Sequence, residues 1–291
     1  METWPNFFIV GPTRAGTTSL WQYLRKIPGV YMSSVKEPAY FNPNTNYEGF
    51  SMIPIRDKKK YLKLFKDVKD ETAIGEASPT YLADPETPYL IHKVVPNARI
   101  IIMLRDPVER AYSEYLLMYA IGVVKCSFTE LIHSPDRGKK ETPVPIVDYG
   151  LYYEKVKRNL EVFGPEQVRY FIFEEFVKDP LKILKEILDF LGIKNPDINF
   201  ELEVHNPMIV HRNRLAKFIV RNKLIRKVGK HLPRDSIRQI KWKLTTPTKK
   251  PSMSLEDRKF LQEFYREDIQ KLEDLIGRKM PWKCKNYSLI K

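Results

Sequence analysis

Ala98-Arg99-Ile100-Ile101-Ile102-Met103-Leu104 is a near-continuous apolar run, closed by Asn97 on one side and by Arg105-Asp106-Pro107 on the other. A strand with one wet face alternates apolar and polar residues, whereas an unbroken run reads as a strand buried on both faces of a parallel sheet. Downstream, Val108, Ala111, Tyr112, Tyr115, Leu116 and Tyr119 recur at helical spacing, with Pro107 suited to the first turn and Asp106 to the N-cap. A buried strand running straight into an amphipathic helix is the unit from which α/β sheets are built.

The same alternation extends in both directions. Residues 6–11 read as a short buried strand, 17–26 as a helix stopped by Pro28-Gly29, and Val30 to Met32 as a second strand. Residues 42–60, with Asn, Pro and Lys and no clear period, read as a loop. Ala73 to Gly75 is a further strand, and Tyr89 to Val95 a short helix ended by Pro96. Beyond the central helix, 134–147 reads as a loop, Tyr149 to Phe163 as a helix and Val168 to Phe173 as a fifth strand. Pro180 to Leu191 is a helix stopped by Gly192, and Leu255 to Ile276 a long terminal helix. The expected architecture is a three-layer α/β/α fold with a central parallel sheet. It forms one domain over residues 1–291, carrying a basic, mostly helical C-terminal elaboration.

Composition narrows the classes. With 43% hydrophobic residues the chain is no disordered polyelectrolyte, and no apolar run approaches the ~20 residues of a membrane span. Cys126 and Cys284 stand alone, without a CxxC pair, and none of the five His falls in a spacing such as HExxH, so no metal site is expected. With no secretory pattern before residue 6, a cytoplasmic location is expected. Of the net charge of +14, residues 205–250 carry +13, from 14 Lys or Arg against Asp235 alone. Such a block suits an anionic partner. Residues 212–228 also have the pattern of a basic amphipathic helix, which could make peripheral membrane contact.

Two motifs carry the chemistry. After the first strand comes Gly11-Pro12-Thr13-Arg14-Ala15-Gly16-Thr17-Thr18, then a helix. Glycines let backbone approach an anion, and N–H groups at a helix start point at it. The pattern is close to G-x-x-x-x-G-K-[ST], but Thr17 stands where that pattern has Lys, which argues against a triphosphate substrate. The second motif is Arg105-Asp106-Pro107-Val108-Glu109-Arg110-Ala111-Tyr112-Ser113-Glu114-Tyr115, whose first residue sits at the carboxyl end of a parallel strand, where α/β folds bind ligands. Ser113 lies two turns into the helix, with Arg110 three residues before it on a neighbouring face, and a guanidinium and a hydroxyl converging on one spot make a phosphate clamp.

Together the two motifs resemble the donor-binding blocks of sulfotransferases, x-[KR]-x-G-T-[TS] and R-D-P-x-x-R-x-x-S-x-Y. The resemblance implies the P-loop-like sulfotransferase fold and the co-substrate 3′-phosphoadenosine 5′-phosphosulfate (PAPS), with adenosine 3′,5′-bisphosphate (PAP) as product and no required metal. It implies that Arg14, Ala15, Gly16, Thr17, Thr18 and Ser19 hold the 5′-phosphosulfate, and that Arg105 and Ser113 bind the 3′-phosphate. Arg110 is then structural support. Ser34-Val35-Lys36-Glu37-Pro38-Ala39-Tyr40-Phe41 resembles the segment of heparan-type and related bacterial members in which a Glu precedes two aromatics. This makes Glu37 the general base, Lys36 a contact to the bridging oxygen and Tyr40 a candidate substrate contact. Gly75-Glu76-Ala77-Ser78-Pro79-Thr80-Tyr81 resembles the block E-K-[ST]-P-x-Y with Ala77 in place of its Lys, leaving Glu76 as a competing base or an orienting residue. Residues 246–253 resemble the basic loop that closes over the nucleotide, nominating Lys249 and Lys250 for the 3′-phosphate.

The implied reaction is sulfuryl transfer to an acceptor hydroxyl or amine. A carbohydrate acceptor is favoured; a lipid or small-molecule hydroxyl is the alternative. A P-loop kinase is the rival enzyme, but it needs a Lys after Gly16. A basic membrane- or nucleic-acid-binding protein using residues 205–250 is the non-enzymatic rival.

Overall fold

The computed structural model describes residues 2–44, 54–137, 145–194, 198 and 251–282, together with the backbone of two short strands at 209–211 and 245–247. The sheet consists of β1 (Phe7–Val10), β2 (Val30–Met32), β3 (Ala73–Ala77), β4 (Arg99–Leu104) and β5 (Val168–Ile172). These strands lie in the order β2-β3-β1-β4-β5, and every pairing is parallel. Between them run α1 (Thr17–Leu24), α2 (Lys58–Leu62), α3 (Thr87–Val94), α4 (Pro107–Ala120), α5 (Phe128–His133), α6 (Tyr153–Phe163), α7 (Phe173–Lys178) and α8 (Pro180–Leu191). The described C-terminal helix, α9, spans Leu255–Ile276.

The unbroken apolar runs are buried on both sides, as their composition requires. Along β1, Phe8 and Val10 enter one core while Phe7 and Ile9 enter the other; along β4, Ile100, Ile102 and Leu104 oppose Ile101 and Met103. The first core is closed by α3, α4, α6 and α9, the second by α1 and α8. Each fully buried Ile or Phe contributes roughly 1.5–3 kcal/mol, so the two central strands dominate the apolar stabilisation of the sheet.

Strand order creates the site. The chain leaves β1 towards β2 on one side of the sheet and leaves β4 towards β5 on the other. The neighbouring carboxyl ends of β1 and β4 therefore flank a topological switch point, the crevice where open α/β sheets bind ligands.

Several local expectations change. The stretch 42–60, expected as a loop, ends in the helix Lys58–Leu62, which runs two residues past it: the Asp57 side chain accepts from Lys60 N at 2.7 Å, and Tyr61 is buried in the core. The helix expected from Tyr149 begins at Tyr153, preceded by a single tight turn at Asp148–Gly150. The basic segment, expected to be mostly helical with a loop at 246–253, holds two short strands: β6 (Ile209–His211) pairs antiparallel with β7 (Thr245–Pro247). The amphipathic helix expected at 212–228 lies outside the described residues. Among the described residues, no helix is long and apolar enough to cross a membrane.

Candidate active site

The loop after β1 must pass directly over β4. Gly11 has φ of 147°, and a Cβ placed there would lie 2.4 Å from the Met103 carbonyl oxygen, so only glycine fits. Gly16, at φ 84°, is the N-cap of α1 and provides no side-chain cap. The first amides of α1 are thus left pointing into the crevice. A Cβ at Gly16 would meet the Phe173 ring at 2.8 Å. Ala15, Thr17 and Ser19 are buried within this turn, while Gly16 and Thr18 are half-buried.

Arg14 adopts φ 68°, a left-handed conformation uncommon outside glycine. That twist turns its side chain towards α4, where Arg14 Nε donates to Ser113 Oγ at 3.1 Å. Arg105 reaches back, its Nη1 donating to the Arg14 carbonyl oxygen at 2.7 Å, with the guanidinium 4.5 Å from the Phe173 ring centroid. Arg14, Arg105 and Ser113, separated by up to 99 residues, therefore form one cluster. Burial draws the Arg105 pKa down from its ordinary value, with Glu174 opposing that shift. Arg105 does not pair with Asp106, which caps α4 through Val108 N (2.9 Å) and Glu109 N (3.3 Å). Nor does it pair with Glu109, which bonds Arg258 of α9 at 2.6 Å.

The crevice presents a donor set that the anionic ends of the implied co-substrate would match. Thr13 Oγ1 and Arg105 Nε are buried and have no hydrogen-bond partner among the described residues, and α1 begins uncapped beside them. These are hydrogen-bond donors and cationic groups, and phosphate oxygens accept from both.

Glu37 sits on the same sheet edge. Its amide donates to Ala77 O at 2.9 Å, its side chain is ion-paired with Lys36, and its φ is 60°. The turn after β3 is tied to the loop after β1 by Tyr149, whose hydroxyl lies 3.0 Å from Pro79 O and 3.3 Å from Gly11 O. Glu76, by contrast, is fully buried. Its Oε1 accepts from Tyr61 (2.7 Å) and Tyr81 (2.9 Å), and its Oε2 from Ser78 Oγ (2.7 Å). Tyr40 stacks on Tyr61 with ring centroids 4.3 Å apart.

The family description "Sulfotransferase domain" matches residues 5–275. This chain belongs to the sulfotransferase domain family. The solved structure of a sulfotransferase from Alicyclobacillus acidocaldarius superposes with a TM-score of 0.72 at 32% identity, covering 96% of this chain and 98% of that one. The human bifunctional heparan sulfate N-deacetylase/N-sulfotransferase 3 is 26% identical over 95% of this chain and 31% of its own length. Human heparan sulfate glucosamine 3-O-sulfotransferase 6 is 30% identical over 65% of this chain and 53% of its own length. The sulfotransferase chain thus spans about a third and about half of these two curated relatives.

Of the supports beneath this sulfotransferase site, sequence reasoning named Arg110 and missed the others. Arg110, read as structural, is fully buried, donates to Ile146 O and lies 5.5 Å from the Tyr149 ring, so it holds up the tyrosine that links the two loops. Tyr152 donates to the Arg105 carbonyl at 2.9 Å. Glu174 accepts from Asp106 N and from Trp282 Nε1, both at 3.1 Å. The available signal was position: Phe173 and Glu174 directly follow an apolar strand and so stand at the carboxyl edge of the sheet. Lys249 and Lys250 lie outside the described residues. Among the described residues, no group of three or more His, Cys, Asp and Glu side chains could hold a metal ion.

Burial raises the Glu76 pKa to about 7, against the three hydroxyl bonds that lower it. The folded protein therefore holds this proton more tightly than the unfolded chain, whose carboxyl titrates near 4.5. Stability is expected to fall by about 3 kcal/mol as pH rises from the unfolded to the folded pKa, then to level off. Urea titrations across that window should show this slope in the wild type and lose it in Glu76→Gln.

Proposed function

We propose that this sulfotransferase moves a sulfuryl group from PAPS to a hydroxyl or amine on a carbohydrate. The observation that carries the reading is the Arg14–Ser113–Arg105 cluster at the switch point, with Glu37 on the same sheet edge. Arg105 and Ser113 would hold the 3′-phosphate, and Arg14 with the amides and hydroxyls of residues 15–19 would hold the 5′-phosphosulfate. When bound, the donor supplies a sulfur whose bond to the phosphate oxygen breaks as the acceptor oxygen or nitrogen bonds to it. Glu37 takes the acceptor's proton, which requires only that the acceptor come within hydrogen-bond reach of its carboxylate. Lys36, paired to Glu37, holds that carboxylate in place and offers positive charge to the bridging oxygen. Arg14 and the α1 amides are fixed before the reaction, so they offset the charge gained by the departing phosphate without reorganising.

The carbohydrate acceptor is supported by two observations. The curated relatives carry heparan sulfate in their names. Three residues beyond Glu37, the half-buried Tyr40 lies 6.1 Å from the half-buried Trp4 and is backed by the buried Tyr61, so two rings of the kind that pack against sugars stay partly accessible.

Thermal unfolding tests the donor assignment. PAP without metal, at about 100 times its Kd, should raise Tm by roughly 5 °C, while ATP with Mg²⁺ should leave it unchanged. The opposite pattern would overturn the reading in favour of a kinase. Radiolabelled donor presented with glycans, glycolipids and phenols then identifies the acceptor; transfer to lipid or phenol alone would overturn the carbohydrate assignment.

A further inference from the structure

Glu76 is a carboxylate with no exposed surface, enclosed by three hydroxyls from three places in the chain: Tyr61 on α2, Ser78 at the end of β3, and Tyr81 in the turn after it. An ionised carboxylate only accepts hydrogen bonds. All three hydroxyl protons must therefore point inward at Glu76, and the oxygen lone pairs face outward.

What they face is the segment bearing Glu37. Ser78 Oγ accepts from Ala39 N at 3.1 Å, and Tyr81 OH accepts from Phe41 N at 3.1 Å. The Tyr61 ring lies flat on Tyr40, at 4.3 Å and 14°. Three consecutive residues, 39, 40 and 41, are thus each gripped by one of the three side chains that Glu76 orients. The grip is needed, because Glu37 (φ 60°) and Ala39 (φ 50°) both hold left-handed conformations that residues with a Cβ adopt at a cost. Without outside restraint this segment would relax, and the Glu37 carboxylate would move with it.

We propose that Glu76 is a positioning residue for sulfuryl transfer: by fixing the donor direction of Tyr61, Ser78 and Tyr81 it locks residues 37–41 in their left-handed turn and so places the Glu37 carboxylate. This rests on the reading of Glu37 as the base. It gives the buried glutamate a role that needs no contact with the acceptor. Tyr61 and Tyr81 face Glu76 from their own elements, and burial pushes both phenols well above their ordinary pKa, so each remains a donor.

The test is a double-mutant cycle on the full chain at pH 8, where Glu76 is ionised, with kcat, acceptor KM and PAP affinity read separately. Glu76→Gln keeps the size but puts an N–H₂ group where a hydroxyl must donate. It should lower kcat roughly 10–100-fold and leave PAP affinity within twofold. In a Glu37→Gln background the same change should cost nothing further, since both act through one carboxylate. Tyr81→Phe, which loses the bond to Phe41 N as well, should match Glu76→Gln. Tyr61→Phe, which keeps the stack on Tyr40, should cost less. Full turnover in Glu76→Gln, or a loss that adds to that of Glu37→Gln, overturns the positioning role. If Glu76→Gln fails to fold, Tyr81→Phe in the same cycle decides. Full turnover in Glu37→Gln alone instead removes Glu37 as base, a separate failure.

Discussion

Glu37→Gln is expected to turn over about 10²–10⁴-fold more slowly than the wild type while binding PAP with unchanged affinity. The substitution is close to isosteric, and the backbone bond from residue 37 to Ala77 O is untouched. The new amide oxygen can still accept from Lys36, so the turn should keep its shape. What disappears is the capacity to take a proton from an acceptor. Glu37 makes no contact in the Arg14–Ser113–Arg105 cluster, which is why donor affinity serves as the internal control. Single-turnover transfer from labelled donor measures the first quantity and calorimetry with PAP the second. Unchanged turnover would remove Glu37 as the base. Glu76 could not then replace it, because both its oxygens are already engaged by buried hydroxyls and none of its surface is exposed.

Arg105→Ala should weaken PAP binding by roughly 10²-fold, since a charge-assisted hydrogen bond is worth about 1.5–3 kcal/mol. The loss has two sources: the guanidinium's own bonds to phosphate, and the bond to Arg14 O that holds the loop at φ 68°. Arg105→Lys separates them, because it restores a charge without the fork that spans Arg14 O and the ligand. It should recover only part of the affinity. Calorimetry with PAP reads both variants, and a change under twofold in Arg105→Ala would show that the 3′-phosphate is bound elsewhere. Stability must be followed in parallel, because removing the side chain also uncovers Phe173.

Much of this could be read before any coordinates, wherever local pattern and local physics agree. Val30–Met32, Pro180–Leu191 and Leu255–Ile276 have the expected bounds because local signals mark their ends: Gly29 before the strand, Pro180 and Gly192 around the first helix, and the Ser254 cap and Gly277 around the second. The helices Lys58–Leu62 and Phe128–His133 escaped because each is under two turns and held by its neighbours. Their only local marks were the Asp57 cap and the Ser127–Glu130 capping box. The donor motifs were legible because a strand followed by a helix converts spacing into geometry. The bond from Arg14 to Ser113 was not, since it depends on β1 and β4 being neighbours. The enclosure of Glu76 was equally hidden: its hydroxyls come from residues 61, 78 and 81, and nothing in their spacing announces that they converge.

The contact between Arg14 Nε and Ser113 Oγ has a consequence for anyone wishing to re-engineer this catalyst. A serine that accepts from a cation has its own proton left to donate, so its dipole is aligned by the charge behind it. Truncating either side chain therefore also unsettles the other, and losses from the single changes should overlap rather than sum. On the proposed donor site, nucleotide selectivity would be shared between the loop after β1 and helix α4, and altering it would require that both be redesigned as a pair.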